Sequence, residues 1–310
     1  MTSAPRPRYC VITPCRDEEE FAERSIASVL VQTLHPTAWV VVDDGSTDRT
    51  PEILRELLAD VPWARVVTNP RHGGRVLGSG VVRAFNVGLA TVDLDDFDFV
   101  CKLDLDLDLP PTYFEDALAL MAEDHRLGSV SGKPFFTDSS GRIHLEINGD
   151  ENSVGMVKLY RTDAFREIGG LVPELMWDGI DCHELRRAGW RVYSTADPRL
   201  RFEHLRAMGA SDRGILRGRR RHGAGQYFMG TSFAFMLASA VRRMAYPPVV
   251  LGSASMLLGY VWAAVRRRPR YADADFRRDL RRYQRESLVL GKGAAVRRWE
   301  RRTSGQVRAA

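Results

Sequence analysis

The stretch FVCKLDLDLDLPP, Phe99 to Pro111, holds the residues best placed for chemistry. Asp104, Asp106 and Asp108 alternate with leucines, and Pro110 and Pro111 end the run. A strand rises about 3.3 Å per residue and alternates its faces, so the leucines line one face. The carboxylates then line the other, with neighbours about 6.6 Å apart. Such a row repels itself unless water or a cation compensates it. The prolines force the chain out of the strand, and at that exit two carboxylates can turn toward one point. Oxygen ligands of this kind suit a hard divalent cation. The competing reading is a half-exposed strand with a solvated acidic face.

The surrounding elements decide between these readings. Over the first 205 residues, strand-like and helix-like segments alternate. YCVITP, AWVVVDD, ARVVTN and DFVCKLD are short apolar runs rich in β-branched residues. Between them, EEFAERSIASVLVQT places Phe21, Ile26, Val29 and Leu30 at helical spacing. TPEILRELLAD offers Thr50 as an N-cap with Pro51 at the first helical position. RVLGSGVVRAFNVGLATV, after the Gly73–Gly74 turn, and PTYFEDALALMAED complete the pattern. This alternation predicts an α/β fold with a mostly parallel sheet covered by helices. In such sheets ligands bind beyond the carboxyl ends of the strands. Those ends read PCRDEE, DDGSTD and DLDLDLP, all acidic. Three acidic strand ends on one rim would be poor structural design by themselves, whereas a polyanion held through a divalent cation accounts for them. Further on, GMVKLYRTDAFREIGGL and WDGIDCHELRRAGWRVYSTADPRLRFEHLR repeat strand, helix and strand, with a helix starting near Asp178 or Asp181. Capping or dipole pairing explains an aspartate there equally well.

The chain has 310 residues, 44% hydrophobic and 27% charged, enough for one sizeable core and an appendage. The net charge of +5 is uneven, with arginine clusters from Arg213 onward and the acidic residues earlier. Basic clusters attract nucleic acid or anionic membrane. The tail lacks interleaved aromatics for base stacking, so an anionic membrane surface is the expected partner and nucleic acid is not. Gly223–Val241 and Met244–Val265 carry no charge, and basic residues flank both. Those flanks would sit on one side of a bilayer, which favours a helical hairpin or interfacial helices over a single crossing. Packing of both helices onto the catalytic domain is the alternative. Cys10, Cys15, Cys101 and Cys182 have no metal-like spacing, as expected in a reducing compartment. MTSAPRPRYCVITP holds no apolar leader. The expected location is cytoplasmic, at the inner face of the cell membrane.

Taken together, these segments resemble the family-two glycosyltransferases, nucleotide-sugar-dependent enzymes of the GT-A fold. The similarity runs through VITPCRDEEEFAERSIASVLVQT, VVVDDGSTDRTPEIL, RAFNVG, KLDLDLDLPPTYFE, REIGGL and WDGIDCHELRRAGWRV. It implies a catalytic domain over residues 1–205 and an arginine-rich helical region over 206–310. The resemblance places Pro14, Arg16, Asp17, Glu18, Asp43 and Asp44 around the donor nucleoside. Asp104 and Asp106 would form the DxD motif that holds Mn2+ or Mg2+ and the donor diphosphate. His204 would match a histidine that some relatives use near the metal; an ordinary strand-end histidine is the alternative. Asp178 would match the catalytic base. On charge, Arg206, Arg219 and Arg220 could add to stabilisation of the leaving diphosphate.

Two departures leave alternatives open. Trp177–Asp178 stands where many relatives have Glu-Asp, so Asp181 and Glu184 are rival bases. Asp108 gives the DxD a second register, Asp106–Asp108. The Gln-x-x-Arg-Trp of processive synthases is absent from LRGRRRHGAGQYF, which implies transfer of one sugar at a time. Direct displacement assisted by one base would invert the anomeric configuration, and a saccharide or lipid-linked acceptor in cell-envelope, exopolysaccharide or glycolipid synthesis is expected. A nucleotidyltransferase is the second reading, but it expects a glycine- and lysine-rich loop where PCRDEEEF stands. A non-catalytic basic membrane-binding module explains the arginines and not the acidic rim.

Overall fold

A computed structural model of the chain describes residues 6–70, 78–146, 149–206, 214–245, 248–303 and 305. The Gly73–Gly74 turn expected from the sequence lies outside the described residues. The chain divides into two compact units, Met1–Leu185 with Trp190–Leu205, and Arg186–Gly189 with Arg206–Ala310.

In the first unit the order is β1 (Tyr9–Cys15), α1 (Ala22–Leu30), β2 (Ala38–Asp43), α2 (Thr50–Leu58), β3 (Ala64–Thr68) and α3 (Ser79–Leu89). Then come β4 (Phe99–Leu103), β5 (Leu107–Asp108), α4 (Tyr113–Glu123), β6 (Leu127–Ser131), β7 (Pro134–Thr137) and β8 (Ile143–Leu145). β9 (Val157–Arg161), α5 (Thr162–Glu167), α6 (Trp177–Arg187), β10 (Arg191–Ser194) and β11 (Phe202–His204) follow. Seven strands form the main sheet in the order β10-β6-β9-β4-β1-β2-β3. β1, β2, β3 and β4 pair in parallel, as the alternating pattern expects. β9 is the exception, antiparallel to both β4 and β6. It is reached through the short strands β7 and β8, so no crossover helix fixes it parallel.

The continuous apolar runs are central strands buried on both faces. All of β1 is buried, and in β2 Trp39 through Asp43 are buried. Each large side chain enclosed there, such as Trp39 or Phe114, contributes roughly 1.5–3 kcal/mol. Helix α3 approaches this sheet through Gly88, where a Cβ would lie 2.7 Å from methyls of Ile12 and Val42. Thr50 does not cap α2 as its position promised. Arg49 occupies the cap, and the Thr50 hydroxyl instead accepts the Glu18 N–H at 2.8 Å. A second sheet, β5-β11-β7-β8, lies under the exit of β4. The sequence pattern did not announce it, because its strands are two to four residues long.

The second unit is helical: α7 (Ile215–Met229), α8 (Phe233–Arg243), α9 (Leu251–Val265), α10 (Ala274–Leu290) and α11 (Lys292–Thr303). α7 and α9 meet backbone to backbone. A Cβ on Gly223 would stand 1.8 Å from the Met256 carbonyl oxygen, and one on Gly259 1.9 Å from that of Arg220. Tyr283 and Trp299 join α10 to α11, their rings 5.6 Å apart. Among the described residues no helix is long and apolar enough to cross a membrane.

Candidate active site

The ends of β1, β2 and β4 supply most of the residues singled out by sequence. Past β1, Asp17 adopts φ 53°, a conformation that aspartate tolerates better than most residues. It pins the neighbouring loop, its N–H donating to Ser46 Oγ at 3.0 Å and its Oδ1 accepting the Thr47 N–H at 2.7 Å. Pro14 lies inside β1, and Glu18 is buried with its N–H on Thr50. Arg16 donates to the Asp44 carbonyl oxygen at 3.1 Å. Asp43 and Asp44 are both buried. Asp43 Oδ1 accepts the Ser46 N–H at 2.9 Å, and Asp44 Oδ1 accepts from Asn69 Nδ2 at 2.7 Å. Asn69 was not singled out by sequence. Its place just past β3 is the one signal that could have found it.

At the end of β4 the three aspartates separate. Asp108 pairs across to Arg24 at 2.7 Å, and Arg24 also reaches Glu203. Asp106 instead faces His204, with 3.6 Å between Oδ2 and Nε2. The small sheet builds this contact. β5 pairs antiparallel with β11, and the Leu205 N–H donates to the Asp106 carbonyl oxygen at 2.9 Å. The other ring nitrogen, Nδ1, lies 2.9 Å from Oε1 of Glu146, just past β8. Burial opposes a charge on His204. The hydrogen bonds and charges of Asp106 and Glu146 outweigh it and raise the histidine pKa to about 9. Glu146 was missed by sequence, where it is one glutamate following an edge strand.

Among the described residues no three His, Cys, Asp or Glu side chains already converge as a metal cluster. Asp106 and His204 nevertheless form an oxygen–nitrogen pair, with a carboxylate orienting the imidazole from behind. That support is the usual companion of a metal-ligating histidine. With water and diphosphate oxygens completing the shell, the pair could hold Mn2+ or Mg2+.

Asp104 belongs to a different arrangement. Lys102 and Lys158 are direct partners across the β4–β9 ladder, and both are buried. Directly opposed like charges are destabilising, and here each lysine has its own aspartate at 2.5 Å. Lys102 pairs with Asp104, and Lys158 with Asp181. Trp177 presents its ring to both ammoniums, 5.3 Å from Lys102 and 5.4 Å from Lys158. Asp181 is saturated: Tyr160 and the Cys182 N–H also donate to it. Burial opposes both charges of this pair. At Lys158 the Asp181 charge overcomes it and the pKa is raised, whereas at Asp181 burial prevails and the carboxyl is raised too. The extra donors on Asp181 mark it as the ionised partner.

Asp178 opens α6 one turn earlier and is half-buried. Its carboxylate lies against Gly155, where a Cβ would be 3.2 Å from Oδ2. Lys102 donates to the Gly155 carbonyl oxygen at 2.8 Å, and the Asp104 N–H donates to Met156 at 2.9 Å. The segment Gly155–Met156 therefore brings Asp104 and Asp178 to one place. Glu184 lies further along α6, and Arg206 belongs to the second unit.

The fold is that of a GT-A glycosyltransferase. The model of Glycosyl transferase family 2 matches residues 10–177, more than half of the chain, and the chain belongs to that family. The structure is similar to a mannosyltransferase, PcManGT from Pyrobaculum calidifontis, solved with GDP-Man and Mn2+. The TM-score is 0.54 at 18% identity, covering 97% of this chain and 84% of that one. It is also similar to residues 1–349 of S. aureus TarS in complex with UDP-GlcNAc, with TM-score 0.53, 16% identity, and 96% and 90% coverage. At these identities the likeness is one of fold. By sequence, 94 residues are 28% identical to a chondroitin synthase of Pasteurella multocida (strain Pm70), covering 30% of this chain. The chain spans about a tenth of the length of the curated relatives it matches (10%).

Proposed function

We propose that the protein transfers a single sugar from a nucleotide-diphosphate donor to a hydroxyl or phosphate acceptor, with inversion at the anomeric carbon. The observation that carries this reading is the meeting of Asp104 and Asp178 at Gly155–Met156. It sets a diphosphate-binding carboxylate beside a carboxylate free to act as base. The nucleoside end of the donor is assigned to the loops after β1 and β2, where Asn69 and Arg16 fix Asp44. Pro14, Asp17, Glu18 and Asp43 shape those loops and leave Asp44 to the base or ribose.

Asp106 and His204, with Asp104 beside them, would hold a divalent metal. When bound, that metal neutralises charge developing on the leaving diphosphate. Glu146 keeps the imidazole oriented. Lys102 fixes Asp104 and the Gly155 carbonyl together, so the spacing of the rim is built into β4. Asp178 takes the proton of the acceptor hydroxyl as that oxygen attacks. Displacement assisted by one base inverts the configuration. Asp181 is a poor rival, since it is 2% exposed and committed to Lys158 and Tyr160.

The acceptor side is proposed to work at an anionic membrane surface on the cytoplasmic face, with a lipid-linked saccharide as acceptor. α9 has no charged residue, and its outward face carries Leu258, Val261 and Val265, all exposed. Arg266, Arg267 and Arg268 follow it directly. Such a helix suits the plane of an interface.

A panel of nucleotide sugars with Mn2+ or Mg2+ tests the reading through slow donor hydrolysis and thermal stabilisation. Excess chelator and Asp106→Asn should each remove most of the activity. Full activity in both would end the metal assignment.

A further inference from the structure

α10 carries three carboxylates, and all are engaged. Asp275 pairs with Arg278 at 2.9 Å, and Asp279 with Arg187 at 3.3 Å. Glu286 pairs with Arg302 at 2.7 Å and Arg282 at 3.4 Å. Arg277, Arg281 and Arg285 follow one another at four-residue intervals, so they share a helix face about 6 Å apart along the axis. None of these three makes an ion pair among the described residues. Two are instead oriented by backbone. Arg277 donates to the Tyr271 carbonyl oxygen, and Arg281 Nε to that of Gly230 at 3.2 Å. Gly230 has φ 95°, and a Cβ there would meet Arg277 Cγ at 2.7 Å. The glycine both ends α7 and leaves room for the arginine stem. With Ser232, Ala274 and Arg278, the three arginines line a cavity of about 430 Å³ that has no acidic lining residue. Ser232 caps α8, accepting the Phe235 N–H, and the positive end of that helix dipole adds to the field.

We infer that this cavity is a second anion site and that it binds a ligand carrying two or more phosphoryl groups. A guanidinium presents paired donors in a plane that matches phosphate oxygens, which makes each arginine a phosphate contact. Three guanidiniums spread over two helical turns exceed what one phosphoryl group can engage. The same chemistry is offered by a soluble phosphorylated chain and by the headgroups of anionic lipid. This site requires nothing of the donor rim or of the catalytic reading.

Calorimetric titration of the full-length protein with tripolyphosphate at low salt and without metal tests the inference. The doubly substituted Arg281→Gln, Arg285→Gln protein should bind about tenfold more weakly or worse, the scale of lost charge-assisted hydrogen bonds. Arg278→Gln, whose arginine already has Asp275, should change affinity less than twofold. Asp106→Asn should bind tripolyphosphate as the unaltered protein does, which separates this site from the donor rim. Sedimentation with phosphatidylglycerol-containing and purely phosphatidylcholine vesicles identifies the source. Binding to the anionic vesicles that the double substitution abolishes assigns lipid headgroups. Tripolyphosphate binding with no such vesicle effect assigns a soluble ligand. If the unaltered protein binds neither probe, or the double variant binds both as well as it does, the inference is overturned.

Discussion

His204 and His222 are the same side chain in opposite surroundings. His204, in the first unit, lies between Asp106 and Glu146, and its pKa is raised to about 9 despite burial. His222, on α7 of the second, is lowered to about 4, first by burial and then by the charges of Arg243, Arg219 and Arg221. Burial pushes both in one direction, so the sign is decided by the neighbours. The contrast extends beyond the histidines. Around the first unit's rim, buried charge is matched nearly one to one, as in Lys102–Asp104 and Lys158–Asp181. The second unit keeps arginines in surplus on exposed helices. Matched charge builds a site of fixed geometry, whereas surplus charge is left for something outside the chain.

The largest break in this comparison is expected at Asp181. Asp181→Asn leaves Lys158 buried without its partner, and loss of one member of such a pair costs about 3–5 kcal/mol. Denaturant unfolding should register that loss, and a stability within about 0.5 kcal/mol of the parent, the range of ordinary surface changes, would mean the pairing is not structural. Next comes Asp178→Asn, which should keep donor binding and stability but lose roughly 10²-fold or more in turnover. Unchanged turnover there, with the loss appearing in a Glu184→Gln protein, would move the base along α6.

A smaller effect separates the two histidines by pH. The unfolded chain protonates a histidine near pH 6.5, whereas folded His222 resists protonation down to about 4. Between these values the unfolded state binds more protons. The His222 contribution is therefore complete above pH 6.5 and is lost as the pH falls toward 4. Thermal melts should show this loss, and His222→Gln should flatten it. Smallest of all is Arg285→Gln, whose arginine makes no ion pair among the described residues. It should shift stability by no more than about 0.5 kcal/mol, in contrast to Asp181→Asn.

Much of the first unit was legible because parallel strands buried on both faces are written as continuous apolar runs. Their acidic ends fall in sequence where ligands gather in such sheets. The sequence also placed Asp104 and Asp106 at a strand exit. It could not say which way each carboxylate turns, since that depends on Arg24 for Asp108 and on His204 for Asp106. The Lys102–Lys158 pairing was invisible, because ladder register between strands distant in sequence leaves no local trace. Glu146 was hidden for the same reason, 58 residues from the histidine it orients. In the second unit the first uncharged run became the end of α7 and most of α8, and the second holds α9, a helix of 15 residues. Pro248 and Gly252 flank or open α9, and proline suits a helix start rather than the middle of a long span.

The small sheet that clasps His204 also bears on how the enzyme comes into being. Asp106 and Glu146 leave the ribosome early, and the histidine that joins them arrives only with β11. A nascent chain thus carries both carboxylates for some time before their clasp exists. Closing such distant segments is entropically slow. The contacts of His204 are therefore completed by β11, the last strand of this sheet to be made, and a chain stalled before it would hold a nearly complete core with both carboxylates still lacking their histidine.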